Sequence, residues 1–249
     1  MDKKINIIYQ DSDILVINKP AGLVVESQSK DKISQTLEGI LEKDFKINLP
    51  RGGIVHRLDK DTSGLMVIAK NEKALVNLQT QFAGKQVKKI YYALVLGKLK
   101  PEKGTIKLAL RRDPTNRTRF VGSKSKEARE AVTRYEVVGY KKFQIANNKL
   151  QTNIKSQISN DKKEKNILSF TKVFLETGRT HQIRAHFFAI GYPIIGDQVY
   201  KNAQSKAVSE KLGLNRQFLH AGKLSFKHPV AGKMVSFKTD LPEDLKKII

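Results

Sequence analysis

A short apolar run at residues 65–69, preceded by a dense cluster of polar side chains, constrains the fold of this chain most strongly. The run is continuous and contains Val and Ile, which is typical of a buried strand. Gly64 stands at the junction, where a backbone turn is easier for a residue without a Cβ. The polar cluster before it comprises His56, Arg57, Asp59, Asp61, Thr62 and Ser63. The pattern predicts a polar loop held at the end of a core strand, a position that commonly carries function.

The composition of the 249-residue chain excludes several classes of protein. There is no cysteine, which rules out disulfides, thiol nucleophiles and thiolate metal sites. No run approaches the roughly 18 apolar residues that a membrane-spanning helix needs, and the first residues lack the apolar core of a secretory signal. We therefore expect a cytoplasmic protein that does not associate with membranes.

The charge of the chain is strongly positive and unevenly distributed. Its formal net charge is +23, and residues 85–142 alone contain 17 lysines and arginines against 5 aspartates and glutamates. Such a concentration favours a polyanionic partner, most often a nucleic acid. Composition alone leaves a second interpretation open, in which the lysines only form a solvated surface.

Strand patterns outnumber helical patterns and arrive in hairpin-like runs. Apolar spacing predicts helices over residues 34–45, 71–82 and 181–190, with Ser34, Asn71 and Thr180 as N-caps. Strand patterns cover residues 5–9, 14–18, 65–69, 89–96, 105–110, 131–138, 167–176, 218–226 and 234–238. Because there is no regular β-α-β alternation, the expected fold class is α+β with a mixed, largely antiparallel sheet.

The motifs that are missing from the sequence narrow the kinds of cofactor and metal site that the chain could have. The sequence has no Walker loop and no G-x-G-x-x-G motif, which disfavours nucleotide and dinucleotide cofactors. Its five histidines include no H-E-x-x-H pair, and His181 and His186 would face different sides of a helix. We expect neither a cofactor nor a metal ion.

Asp59 and Asp61 are the candidate catalytic carboxylates of the polar loop. An ionised carboxylate can attack a nucleoside without an activating base, as glycosidase carboxylates attack sugars. In a desolvated pocket it would need a nearby cation, for which Arg179 and Arg184 are candidates. A turn or capping role is the alternative for both aspartates, and it fits Asp61 better.

Tyr91 and Tyr92 are neighbours on a predicted strand, so their side chains point to opposite faces of the sheet. One interpretation is core packing by one ring and partial burial of the other. The other interpretation is a stacking platform for a base, with a hydroxyl that serves as an acid or base.

Residues 51–70 closely resemble the signature of RluA/RluD-type RNA pseudouridine synthases. The similarity continues in the same order through residues 89–95, 112–118, 176–186, 193–197 with Tyr200, and 219–221 with 228–229. The resemblance implies an α+β fold with a central catalytic cleft flanked by helices and loops. It also implies that residues 1–249 form a single catalytic domain.

The resemblance further implies a reaction and the residues that perform it. These enzymes isomerise uridine in RNA to pseudouridine without a cofactor or metal, by breaking the glycosidic bond and joining the anomeric carbon to C5 of the base. Asp59 would form the covalent adduct, Arg184 would pair with its carboxylate, and Tyr91 would stack on the flipped base. Arg57 would enter the gap that the base leaves. The other RNA contacts expected within the matching segments are His56, Arg112, Arg117, Arg179 and His181.

Two departures from the family pattern bear on the substrate. Many ribosomal members begin with a small RNA-binding module, whereas this chain starts close to the catalytic domain. Members without that module include tRNA modifiers, but residues 112–118 look more like the large-subunit rRNA branch, so we favour rRNA narrowly over tRNA. Residues 147–166 are rich in Lys, Asn and Ser, lack an apolar period, and are expected to be a polar insertion between strands.

Two other functions remain as alternatives to an enzyme that acts as a monomer on RNA. The first is a non-catalytic RNA-binding or ribosome-assembly factor on the same fold. The second is a metal-dependent nuclease, which the lack of a carboxylate cluster in the sequence disfavours.

Overall fold

The computed structural model describes residues 5–27, 30–143 and 167–249, and the predicted insertion at 147–166 lies outside them. The described strands are β1 Asn6–Gln10, β2 Ile14–Lys19, β3 Ser63–Ala69, β4 Lys88–Leu96, β5 Lys103–Lys107, β6 Leu110–Arg112, β7 Phe120–Gly122, β8 Val132–Lys142, β9 Ile167–Leu175, β10 Leu219–Lys227 and β11 Met234–Lys238. The described helices are α1 Leu37–Phe45, α2 Glu72–Ala83, α3 Gln182–Ala189, α4 Ala203–Lys211 and α5 Glu243–Lys246.

The chain folds into two compact units. Unit 1 contains residues 1–91, 174–180 and 219–243, and unit 2 contains residues 92–173, 181–218 and 244–249. Strands β4 and β9 each contribute residues to both units. The single catalytic domain inferred from the resemblance stays a prediction.

Unit 1 is built around β3, whose seven residues are all buried. The strand order is β1-β2-β3-β10-β4, with β11 paired to β10. Strands β3 and β10 run parallel, whereas the pairs β1–β2, β2–β3 and β10–β11 are antiparallel. Helix α2 begins at the predicted N-cap, where the Asn71 side chain accepts a 2.9 Å hydrogen bond from Ala74 N. Its Leu75 and Leu78 pack into the same apolar core as Val67.

Unit 2 has the strand order β4-β9-β8-β5, and β6 and β7 form a separate hairpin. Helix α3 lies beside β7 and β8, with every residue from Gln182 to Phe187 buried. Gln182 Nε2 donates to Val132 O and to Thr133 Oγ1, both at 3.0 Å. His186 lies 2.9 Å from Thr133 Oγ1 and from Leu108 O, so side-chain hydrogen bonds fix the helix on the sheet.

The predicted fold class is confirmed, since the described residues form an α+β fold with a mixed, largely antiparallel sheet. Three local predictions were wrong. The α1 cap is Thr36 and not Ser34, because residues 30–35 form a 3-10 helix ahead of it. His181 and not Thr180 precedes α3, in a left-handed conformation. The strand predicted at 105–110 divides into β5 and β6, because Leu110 pairs with Gly122 in the hairpin.

None of the described helices combines the length and apolar character needed to cross a lipid bilayer.

Candidate active site

The loop that carries Asp59 is fixed by backbone contacts within unit 1. Thr62 N donates to Asp59 O at 3.1 Å, which closes a turn around the carboxylate-bearing residue. The next carbonyl, Lys60 O, accepts from Gly22 N and from Lys19 Nζ, both at 2.9 Å. The fully buried Lys19 ammonium also donates to Pro20 O and Leu23 O at 2.9 Å. Three carbonyls thus accept from an ammonium that has three N–H donors, as a buried charge requires.

The junction between this loop and β3 is equally constrained. Ser63 Oγ lies 2.9 Å from His220 Nδ1, where β3 and β10 pair in parallel. Gly64 has a φ of 122°, and a Cβ there would lie 2.4 Å from Ala221 O. The expectation that a residue with a Cβ would resist the turn at this junction is confirmed. Asp59 therefore sits on a loop whose two ends are both anchored.

Tyr91 lies close to Asp59 within unit 1. Its side chain is buried, whereas Tyr92 is only half-buried, as the alternation of the strand predicts. Burial, with a further contribution from the Asp59 carboxylate, raises the pKa of Tyr91 above its ordinary range. The phenol therefore stays protonated at neutral pH and can donate a hydrogen bond. An aromatic face and a proton donor thus lie within electrostatic range of a carboxylate.

His56 makes contacts that help to hold the Asp59 loop in place. Its Nε2 accepts a 3.1 Å hydrogen bond from Val67 N, and its ring stacks on Phe82 at 4.5 Å between centroids. Burial, with a smaller contribution from the Lys89 ammonium, lowers the pKa of His56 to about 3. The ring is neutral at physiological pH, and an RNA contact by His56 stays a prediction.

The Arg57 side chain extends from the same loop toward solvent and pairs with Glu26. Arg57 Nη1 lies 3.0 Å from Glu26 Oε1, and Arg51 Nη2 lies 2.6 Å from Glu26 Oε2. Both guanidinium side chains are about half exposed. Arg179, the other arginine predicted in unit 1, is also exposed.

Arg184 is buried in unit 2, where Asp197 is one of its partners. Arg184 Nε donates to Asp197 Oδ2 at 2.6 Å and Nη2 donates to Oδ1 at 2.9 Å, a bidentate pair. Asp197 Oδ1 also accepts from the backbone N–H of Val199 and Tyr200. Burial opposes ionisation of Asp197, but the Arg184 guanidinium and these N–H groups outweigh it and hold the pKa of Asp197 below its ordinary value.

The remaining predicted RNA contacts of unit 2 lie around Tyr200. His181 Nδ1 is 3.2 Å from Tyr200 Oη, which also accepts from Phe120 N at 2.6 Å. Arg112 lies over the Phe120 ring at 5.2 Å and donates to Arg117 O at 2.7 Å. The side chains of Arg112 and Arg117 are exposed. The β6–β7 hairpin thus exposes basic side chains, and its Phe120 is held by a hydrogen bond to Tyr200.

Within the part of the chain that the structure describes, one group of side chains has a spacing that suits a metal ion: Asp11, Asp13 and His228. Its oxygens are already engaged by protein donors. Asp11 Oδ1 accepts from Asp13 N and Ile14 N at 2.8 Å, and His228 Nε2 lies 2.9 Å from Asp11 Oδ2. Burial opposes ionisation of Asp11, yet these hydrogen bonds lower its pKa to about 2. A turn that joins β1 to β2 accounts for the group.

Sequence reasoning missed three residues that support the candidate site: Lys19, Glu26 and Asp197. Lys19 and Asp197 lie in K-P-A-G and I-I-G-D segments, where a charged residue next to a turn was the available signal. Glu26 gave no signal, because its partners Arg51 and Arg57 are 25 and 31 residues away.

Comparison with known proteins places this architecture in a defined class. The model of the family described as RNA pseudouridylate synthase matches residues 13–189. An uncharacterized RNA pseudouridine synthase of Aquifex aeolicus is 39% identical over 98% of this chain and 72% of its own length. Ribosomal large subunit pseudouridine synthase D of Buchnera aphidicola is 36% identical over 98% of this chain and 71% of its own length. In fold, Human RNA Pseudouridylate Synthase Domain Containing 1 is similar with a TM-score of 0.71 at 24% identity, covering 96% of this chain and 84% of that one.

The class defined by fold and sequence is that of RNA-modifying isomerases. Within it, the chain belongs to the RluA/RluD-type RNA pseudouridine synthase family, as its resemblance in sequence predicts.

Proposed function

We propose that this protein converts specific uridines of structured RNA to pseudouridine, with Asp59 as the nucleophile and large-subunit rRNA favoured over tRNA. The observation that carries the proposal is the anchored loop that holds Asp59 beside the buried, protonated Tyr91. The family of RNA pseudouridine synthases supplies the reaction class. A relative named for the large ribosomal subunit supports the choice of rRNA.

The proposed chemistry begins when the target uridine leaves its stack and enters the pocket. An oxygen of the ionised Asp59 carboxylate bonds to C1′ of the ribose while the bond from C1′ to N1 breaks, and the base leaves as an anion. The base turns, C5 bonds to C1′, and the Asp59 carboxylate is released. C5 then loses its proton and N1 gains one, so the reaction is a redox-neutral isomerisation.

Tyr91 and Arg184 take the supporting roles in this proposal. The aromatic face of Tyr91 stacks on the flipped base, and its neutral hydroxyl donates a proton or hydrogen bond to it. The assignment of Arg184 as the counter-ion of Asp59 rests on the resemblance in sequence. Within unit 2, Asp197 orients the Arg184 guanidinium through a bidentate pair.

The same proposal assigns RNA contacts to six side chains. Arg57 enters the gap left by the base, while the others bind the RNA around it: His56, Arg112, Arg117, Arg179 and His181. We further propose that the enzyme acts in the cytoplasm as a monomer without a metal ion. Light scattering of the purified protein tests the monomer, and tritium release in the presence of EDTA tests whether the reaction needs a metal ion.

The test of the reaction and its substrate is tritium release. Transcribed large-subunit rRNA and a tRNA pool, each labelled with tritium at C5 of uridine, are incubated with the protein. The proposal expects release from rRNA at a higher rate than from tRNA. Tight, salt-sensitive binding of both RNAs without any release would instead identify a non-catalytic RNA-binding or ribosome-assembly factor.

A further inference from the structure

Three charged side chains of unit 1 form a closed triad beside the Asp59 loop. Glu26 Oε1 lies 3.0 Å from Arg57 Nη1, while Glu26 Oε2 accepts from Arg51 Nε at 2.7 Å and lies 2.6 Å from Arg51 Nη2. Among the residues that the structure describes, these three side chains have no other polar or ring contact. One carboxylate thus holds two guanidinium groups together, with one group on each oxygen.

The geometry of this triad is that of an oxyanion-binding site. Guanidinium groups recognise the oxygens of carboxylates and phosphates in the same way, through charge-assisted N–H donors. The side chain of Glu26 is 19% exposed, whereas those of Arg51 and Arg57 are 52% and 55% exposed. The arginines are therefore accessible from solvent, and the site that they form already binds an oxyanion of the protein itself.

The backbone at Arg51 adopts a left-handed conformation, which directs the Arg51 side chain toward Glu26. Arg51 has a φ of 55°, and Gly52 and Gly53 follow with φ of 60° and 74°. A Cβ at Gly53 would lie 2.1 Å from Ala69 O, so a residue with a side chain does not fit at this position. A left-handed conformation is unfavourable for arginine, and such conformations persist where the surroundings enforce them, often at functional sites.

We propose that Arg51 and Arg57 form a binding site for the RNA backbone, and that Glu26 is a built-in competitor which occupies it when RNA is absent. The inference rests on the proposed function, in which Arg57 leaves the protein surface for the RNA. A backbone phosphate takes the place of Glu26 at Arg51, and Arg57 is released at the same time. Because partly exposed ion pairs are individually weak, RNA displaces the carboxylate readily.

A competitor of this kind has two consequences. RNA binding is weaker than the arginines alone would make it, because their pairing with Glu26 must be broken first. Release of the modified RNA is faster, because Glu26 recaptures the arginines. Glu26 thus lowers the affinity for RNA and raises the turnover rate, without contact with the reacting atoms.

The test compares Glu26→Gln with Glu42→Gln, a matched control. Glu42 is exposed on α1 and has no ion-pair partner among the described residues, and its substitution changes the net charge equally. Filter binding of transcribed large-subunit rRNA should show Glu26→Gln binding about 3- to 10-fold tighter than the wild type, the size expected from two partly exposed ion pairs. Glu42→Gln should stay within about 2-fold, since it alters only the overall charge.

Two further measurements complete the test. Arg51→Gln should weaken binding and reduce the slope of log affinity against log salt by about 0.7 to 0.9, the value for one lost phosphate contact. Over many turnovers, tritium release by Glu26→Gln should be slower than release by Glu42→Gln, because the product leaves slowly.

Binding by Glu26→Gln that is equal to or weaker than that of Glu42→Gln would overturn the proposal, since Glu26 would then only order the arginines. An unchanged salt slope in Arg51→Gln would remove Arg51 from the site. Failure of the proposed function is separate, because absence of tritium release from the wild type rejects catalysis whatever the two glutamate variants do in binding.

Discussion

The Arg184–Asp197 pair shows how a buried contact fixes the orientation of the arginine that we propose as the counter-ion of Asp59. Both side chains are almost completely buried, and two parallel hydrogen bonds fix the plane of the guanidinium. The backbone N–H groups of Val199 and Tyr200 hold the carboxylate in turn. Removing one partner from a buried pair breaks charge-assisted hydrogen bonds in a desolvated site, which is more costly than losing a surface pair.

We expect Asp197→Asn to lower the free energy of unfolding by about 3–5 kcal/mol, the usual cost of breaking a buried ion pair. The matched control is Asp244→Asn, because Asp244 makes the same bidentate contact with Arg216 but is half exposed. That control should cost less than about 1 kcal/mol. Urea unfolding of the two variants measures the difference, and equal losses would show that burial of the Arg184 pair is energetically unimportant.

The low pKa of Asp197 gives this prediction a pH dependence. A carboxyl group whose folded-state pKa is depressed stabilises the protein above the unfolded value of about 3.9. That stabilisation is lost as the pH falls through the lower, folded-state pKa. The wild type and Asp197→Asn should therefore differ fully at pH 7, and the difference should shrink only in strongly acidic solution.

His56 makes a contribution of the same sign at a higher pH, and it can be measured on its own. Since its pKa is lowered to about 3 from an unfolded value of about 6.5, the unfolded state binds the extra proton first. Its contribution is present above pH 6.5 and is lost as the pH falls toward 3. We expect His56→Gln to remove this part of the acid destabilisation, as seen in thermal unfolding between pH 7 and pH 4. An NMR titration in which the His56 ring protonates near pH 6.5 would contradict the account.

At the scale of elements, the approach of β3 to β10 determines where the Asp59 loop ends. We expect Gly64→Ala to destabilise the protein by about 2 kcal/mol or more, because the new Cβ would meet Ala221 O and the backbone has a positive φ. Gly139→Ala, on β8, is the control, since nothing lies within 4 Å of a Cβ there. Thermal unfolding that is equally affected in the two variants would show that the loop end tolerates a side chain.

The sequence allowed some of these elements to be predicted and not others. The cap of α2 at Asn71 was predicted because its partner, Ala74 N, is three residues away. The start of α1 was predicted wrongly, because its first N–H groups bond to Val24 O and Val25 O, which the local pattern does not reveal. Helix α3 was recognised from its apolar spacing, although the left-handed His181 before it was not.

The candidate site was predictable to the extent that its chemistry is local. Asp59 and Tyr91 were predicted from the segments around them and stay predictions as site residues, and in the structure they lie close enough for the carboxylate to contribute to the raised pKa of the phenol. Lys19, Glu26 and Asp197 were missed because their roles come from tertiary contacts. A charged residue beside a turn is ordinarily a solvated one, and only the folded chain shows which of these is held by partners.

At the scale of the whole molecule, the basic character of the chain suits an enzyme that acts on RNA. A net charge of +23 favours association with RNA at any sequence, and binding of this kind weakens steeply as salt is added. Charge alone therefore does not choose the uridine that is modified. We expect this selection to depend on the shape of the RNA around the target uridine.

Tritium release from labelled rRNA by Asp59→Asn tests the proposed role of Asp59 as the nucleophile. Asp61→Asn is the matched control, because Asp61 lies in the same loop, is assigned a structural role and carries the same charge. The account predicts no release by Asp59→Asn, with RNA binding and thermal stability close to those of the wild type, and release within about 10-fold of the wild type by Asp61→Asn. Release by Asp59→Asn at a rate similar to that of the wild type would contradict the account.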